Sequence, residues 1–205
     1  MAREPKNFDH LLGGNAKGLS DEQLKAHFTL YQGYVKKLNE IREKLGTADR
    51  GAPNYSFNEY SELKRREPVA YNGTVLHEMY FENLGNGSTK PDAHTSKLIT
   101  DSFGSFDDWL ADAKACLMSA HGWLVTIFDY HDGKLYNNLV RTEHDVGLFA
   151  NVHVMLAVDA WEHAYFFDYQ TKKADYVANT LSGLNWDVLN KRFGAVGHAH
   201  HGAAT

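Results

Sequence analysis

Apolar and aromatic side chains recur at Leu24, Phe28, Tyr31, Tyr34, Val35 and Leu38, with His27 in the same row. Spacings of three and four put these positions on one face of a helix. Ser20-Asp21-Glu22-Gln23 lies just ahead and reads as a capping box, with Ser20 as N-cap and Gln23 reaching back to it. The periodicity runs to about Leu45, where Gly46 can end the helix. A polar, Tyr-rich connection with Gly51 and Pro53 follows. The spacing of Leu76, Tyr80, Phe81 and Leu84 predicts a second helix over 73–84, broken by Gly85-Asn86-Gly87-Ser88. The first 90 residues thus read as a helical hairpin.

Beyond residue 91 the texture changes. Helical stretches are expected over 95–103 and 105–120. Residues 122–128 are rich in β-formers and lead to Asp132-Gly133, a hairpin turn signal. Further strands are expected over 134–140 and 153–159, and helix again over 169–193. The expectation is an α+β fold with a helical hairpin domain over 1–90. A C-terminal α/β domain over 91–205 would carry a small three-stranded antiparallel sheet, helices and the tail Gly197-His198-Ala199-His200-His201-Gly202.

Composition narrows the function classes. A formal charge of −5 argues against a general nucleic-acid binder, which needs a basic face. There is no run of about 18 apolar residues to span a membrane, and Met1-Ala2-Arg3-Glu4-Pro5-Lys6 has no apolar core of the secretory kind. A soluble, cytoplasmic protein is expected. The single cysteine, Cys116, excludes an intrachain disulfide and a cysteine zinc cluster; it reads as a structural thiol. The 12 histidines and 26 aromatic residues matter more, because imidazole is the commonest side-chain ligand for transition metals and aromatic walls keep such sites dry.

Those histidines point to one place. In Asp159-Ala160-Trp161-Glu162-His163-Ala164-Tyr165 an Asp and a His stand four apart where a strand is expected to end. They suit two ligands of one metal, or a hydrogen-bonded pair capping a helix. His27 and His77 lie on the aromatic faces of the two N-terminal helices, where each taken alone could be a core residue. Three imidazoles and a carboxylate together suit iron, manganese or zinc with a position left for water or a small anion.

The run Asp159-Ala160-Trp161-Glu162-His163 resembles the signature of the iron/manganese superoxide dismutases. The likeness extends over roughly residues 10–195 and includes Tyr34-Val35, Asn72-Gly73, His77, Phe81, Gly122-Trp123-Leu124-Val125 and Asn185-Trp186. The resemblance implies a superoxide-disproportionating enzyme with iron or manganese held by His27, His77, Asp159 and His163. Tyr34 would stand at the mouth of the substrate funnel, and Trp123 and Trp161 would wall the pocket. Glu162 would reach the partner subunit's His163 in a homodimer or dimer of dimers. Ala157, two before Asp159, matches neither the Gly often seen with manganese nor the Thr often seen with iron; iron is the expected metal by a small margin.

The chain departs from the family pattern in four ways. His27 and Tyr34 are seven apart, not the usual eight. Seven residues turn about 700°, about 20° short of two full turns, so a regular helix keeps both on one face, whereas eight would need a π-bulge. Leu30 or Tyr31 stands where many members carry His, and Phe166 where a second Tyr is usual, which weakens the expected hydrogen bond across the dimer. His144 replaces the Gln that commonly hydrogen-bonds the metal-bound solvent, and is expected to donate in its place. His121 stands near the place of a pocket Trp. The same ligands in a non-redox relative, or a non-haem iron oxygenase, are the competing readings; the latter typically uses two His and one carboxylate.

Overall fold

The computed structural model describes residues 2–196, so the His-rich tail lies outside the described residues. Helix α1 (Asp21–Thr47) packs antiparallel on α2 (Glu59–Asn83), forming the expected hairpin. Then come α3 (Ala93–Phe103), α4 (Phe106–Ser119), strands β1 (Trp123–Asp129), β2 (Leu135–Val140) and β3 (Val152–Asp159), and helices α5 (Phe166–Tyr169), α6 (Lys173–Ser182) and α7 (Trp186–Val196). The sheet is antiparallel in the order β2-β1-β3. The α+β class is as expected.

Local chemistry explains most boundaries. Asn58, Asp92 and Ser105 each accept a backbone N–H three residues on, as N-caps do. Gly104, at φ 94°, separates α3 from α4 in a conformation that glycine adopts without strain. The hairpin between β1 and β2 turns through Gly133 at φ 73°. Strand β1 is buried along six of its seven residues, because α4 packs on it while β2 and β3 flank it. It therefore reads as a nearly continuous apolar run, broken by Thr126, with no alternation. Helices α2 and α7 pack on β3, which closes one apolar core shared by the hairpin and the sheet.

Two expectations need correction. The second helix starts 14 residues before 73 and runs through Pro68. An interior proline costs about 3 kcal/mol. Packing offsets it: Val69 and Ala70 are buried, and Tyr60 and Leu63 press on Leu38, Ile41 and Leu45 of α1. The segment before the proline was unreadable as helix because its exposed face is a run of charges, tied as Glu62–Arg65 and Lys64–Glu67. The C-terminal stretch is also not one helical region; it breaks after Tyr169, where Gln170 has φ 50°, and again at 183–185.

Candidate metal centre

Four side chains from four elements meet where the hairpin touches the end of β3. His27 comes from α1, His77 from α2, Asp159 from the last residue of β3, and His163 from a 3-10 turn, Glu162–Ala164. One ligand atom from each lies within 4.8 Å of all the others. Asp159 Oδ2 is 3.3 Å from His27 Nε2, 3.5 Å from His77 Nε2 and 3.1 Å from His163 Nε2. Ligands at 90–120° around an ion about 2.1 Å away would stand about 3.0–3.6 Å apart, so the cluster has the size of a single-ion site.

The protonation pattern also fits a metal. His77 Nδ1 lies 2.5 Å from the Gly73 carbonyl, which can only accept. That fixes the proton on Nδ1 and turns a bare Nε2 lone pair to the cluster. The Nε2 atoms of His27 and His77 are buried with no hydrogen-bond partner, an arrangement costing about 1–3 kcal/mol each unless a ligand satisfies it. Burial, reinforced by neighbouring His27, pushes His77 down to about 3, and burial lowers His27 as well. Both imidazoles are therefore neutral. Burial alone would raise Asp159, yet the hydrogen bond to His163 and the nearness of His27 hold it far below the usual carboxylate range. Its Oδ1 accepts the Trp161 N–H at 2.9 Å, which turns Oδ2 toward the imidazoles.

A second group stands over this cluster. Tyr34 stacks on His77, ring centres 5.3 Å apart, and its hydroxyl lies 2.7 Å from His144 Nε2. Trp123 Nε1, which can only donate, meets His144 Nδ1 at 2.8 Å. A neutral His144 therefore carries its proton on Nε2 and donates it to Tyr34, leaving the phenol O–H free to donate elsewhere. His144 is 3 % exposed, so it is no solvated loop residue. Its backbone and that of Glu143 are both left-handed, at φ 66° and 65°. The strained turn is held by Asn72 Nδ2 on the His144 carbonyl (3.0 Å) and by the Arg66–Glu143 ion pair (2.8 Å). Trp123 meets the His77 ring edge-on at 4.9 Å, and Trp161 stacks on His163.

Residues 91–192 match the C-terminal domain of the iron/manganese superoxide dismutases. An iron superoxide dismutase of Aquifex pyrophilus is 39% identical over 195 residues, covering 93% of this chain and 90% of that protein. The chain belongs to this family. Other relatives are an iron superoxide dismutase of Cupriavidus metallidurans, 35% identical over 87% of this chain and 90% of its own, and a manganese superoxide dismutase of Haloferax volcanii, 31% identical over 82% of each.

Within this iron/manganese dismutase frame, the departures acquire places. α1 runs without interruption past His27 and Tyr34, so the seven-residue spacing is that of a regular helix. Tyr31 lies away from the surface. It is fully buried, donates to Glu78 Oε1 at 2.9 Å and accepts the Lys6 N–H. Leu30 and Phe166 are exposed, and His121 packs edge-on against Trp161 at 4.5 Å. Cys116 is half-buried, its thiol pushed up to about 11 by burial.

Sequence reasoning missed two residues. Gln23 does not return to Ser20 as a capping-box partner. Ser20 Oγ accepts the Gln23 N–H, but the Gln23 amide goes to residues 163 and 167. Gly73 stands in the sequence only as part of the Asn72-Gly73 motif. A β-carbon there would lie 2.5 Å from the Tyr34 ring, so only glycine lets the phenol lie flat on His77. Its position four residues before a ligand histidine was the available signal.

Proposed function

We propose that this chain is a superoxide dismutase whose metal is held by His27, His77, Asp159 and His163, with iron as the resident ion. The observation that carries the reading is the convergence of three imidazole Nε2 atoms on one buried, ionised carboxylate oxygen. Three neutral nitrogens and one negative oxygen suit a borderline transition metal. The iron names of the Aquifex and Cupriavidus relatives favour iron. Bound iron or manganese supplies a one-electron couple, oxidising one superoxide to oxygen and reducing the next to peroxide.

The chain's own residues manage the protons. Peroxide leaves as a neutral molecule only after gaining two protons, one of which comes from solvent. Tyr34 holds one on its hydroxyl, since burial and the Asp159 charge raise its pKa and keep the phenol protonated at neutral pH. His144 donates to the same oxygen, orienting the phenol with its O–H free for the incoming anion, and Trp123 holds the His144 ring. His144 thus serves the site through Tyr34. Trp123 and Trp161 narrow the space around the ligands and exclude larger oxidisable molecules.

The working unit is a homodimer built around Glu162 and His163. His163 has a side chain 34% exposed, whereas that of Asp159 is fully buried. Phe166 and Phe167, close by in the chain, are 47% and 64% exposed. A second copy would cover a ligand and two aromatic rings at once. Reconstitution with iron and with manganese, followed by superoxide turnover per bound ion, tests the activity and the metal. Turnover with iron is expected to exceed that with manganese; a loaded protein inert with both would remove the dismutase reading.

A further inference from the structure

His163 is the ligand with the least support from its own element. His27 and His77 stand on long helices and Asp159 on a strand, but His163 sits on a three-residue 3-10 turn followed by the four-residue α5. Its side chain is also one-third exposed. Something else must hold its backbone at the cluster.

Gln23 does so from across the site. It lies one turn ahead of His27 on the same face of α1. Its Nε2 donates to the His163 carbonyl at 2.6 Å, and its Oε1 accepts the Phe167 N–H at 3.2 Å. Both partners are backbone groups of fixed polarity, so they set which way the amide faces. The Phe167 N–H belongs to the first turn of α5, where no intrahelical acceptor exists. Gln23 is 2 % exposed, so water cannot stand in for either bond. Nearby, the Ser20 N–H donates to Asp168 Oδ2 at 2.7 Å and the Tyr169 hydroxyl donates to the Gly18 carbonyl. These join the same two segments, but Gln23 grips the ligand residue itself.

We propose that Gln23 is a positioning residue for the metal: its amide ties the backbone of His163 to the helix that carries His27. The span between these two imidazoles, whose ring centres are 5.0 Å apart, is thereby fixed before metal arrives. The proposal rests on the metal-centre reading above. Supports beyond the ligands typically change metal affinity about 10–100-fold.

The test uses iron-loaded full-length protein. Gln23→Met keeps the shape and loses both bonds. Gln23→Glu keeps an acceptor for Phe167 but sets an oxygen against the His163 carbonyl. The readouts are the rate of iron loss to a chelator and the melting temperature with and without iron. Iron loss is expected to quicken about tenfold or more in both variants, and the rise in melting temperature on loading should shrink. Asp168→Ala, which cuts a neighbouring tie, should lower both melting temperatures alike and leave iron loss unchanged. Parental iron loss and an undiminished rise in both Gln23 variants would overturn the positioning role alone. A parent that gains no melting temperature from iron would instead overturn the metal-centre reading beneath it. Should Gln23→Glu fail to fold, Gln23→Met decides the matter.

Discussion

Gly73→Ala separates two effects that the structure sets against each other. Gly73 lies within α2 with no left-handed backbone to relieve, so on propensity alone alanine should stabilise the helix by about 1 kcal/mol. Its β-carbon, however, would stand 2.5, 2.7 and 2.9 Å from three Tyr34 ring atoms. Ordinary carbon contact is about 3.5 Å, so the ring must retreat about 1 Å. Overpacking of this kind costs about 1–3 kcal/mol, leaving a net loss of about 0–2 kcal/mol. A 1 Å retreat also stretches the 2.7 Å bond between Tyr34 and His144 beyond hydrogen-bond range. Losing a positioned proton donor outright costs about 100-fold; a displaced phenol that stays near the site should cost about tenfold. Thermal melting of metal-free protein, metal content and superoxide turnover at saturation measure the three terms. The expected result is near-parental metal with reduced stability and turnover. A variant more stable by about 1 kcal/mol with parental turnover would show that Tyr34 does not rest on Gly73.

Other outcomes follow from the same geometry. His144→Ala should keep its metal but lose turnover through a mis-set Tyr34, while His144→Gln, which keeps a donor, should lose less; parental kinetics in both would remove His144 from the site. Glu82→Gln should flatten the acid limb of the stability–pH curve. Burial would raise this carboxyl, but hydrogen bonding to Lys6 and the Lys6 and Arg192 charges hold it below its ordinary value of 4.5. The stability it contributes is thus present above 4.5 and lost as pH falls through the lowered value; an unchanged limb would contradict this. Phe167→Glu should shift sedimentation from dimer to monomer, and a parent already monomeric at micromolar concentration would refute the dimer.

Much of this arrangement was legible in one dimension. The ligand histidines stood out because a polar ring on an aromatic helix face is conspicuous, as at His27 and His77, and the Asp159–His163 pair because it followed a β-rich run. The first half of α2 was illegible, since charges tied at three-residue spacing mask the apolar period and Pro68 suggests a boundary that packing overrides. The bond from His144 to Tyr34 spans 110 residues and leaves no local trace. Gln23 shows the opposite failure: its spacing from Ser20 fits a capping box, but a buried amide goes to the partners that need it most, and those lie 140 residues away or more. For Tyr31, likewise, helical spacing gives the face but not Glu78, the neighbour its buried hydroxyl meets.

The central claim is that His27, His77, Asp159 and His163 together hold the ion that turns over superoxide. Its most direct test is metal content and superoxide turnover, measured on the same samples of the parent and of Asp159→Ala after iron reconstitution. The parent should carry a single ion per chain and turn over superoxide, while Asp159→Ala, folded by circular dichroism, should lose metal and turnover together. An Asp159→Ala protein with a full complement of iron and undiminished turnover would contradict the account.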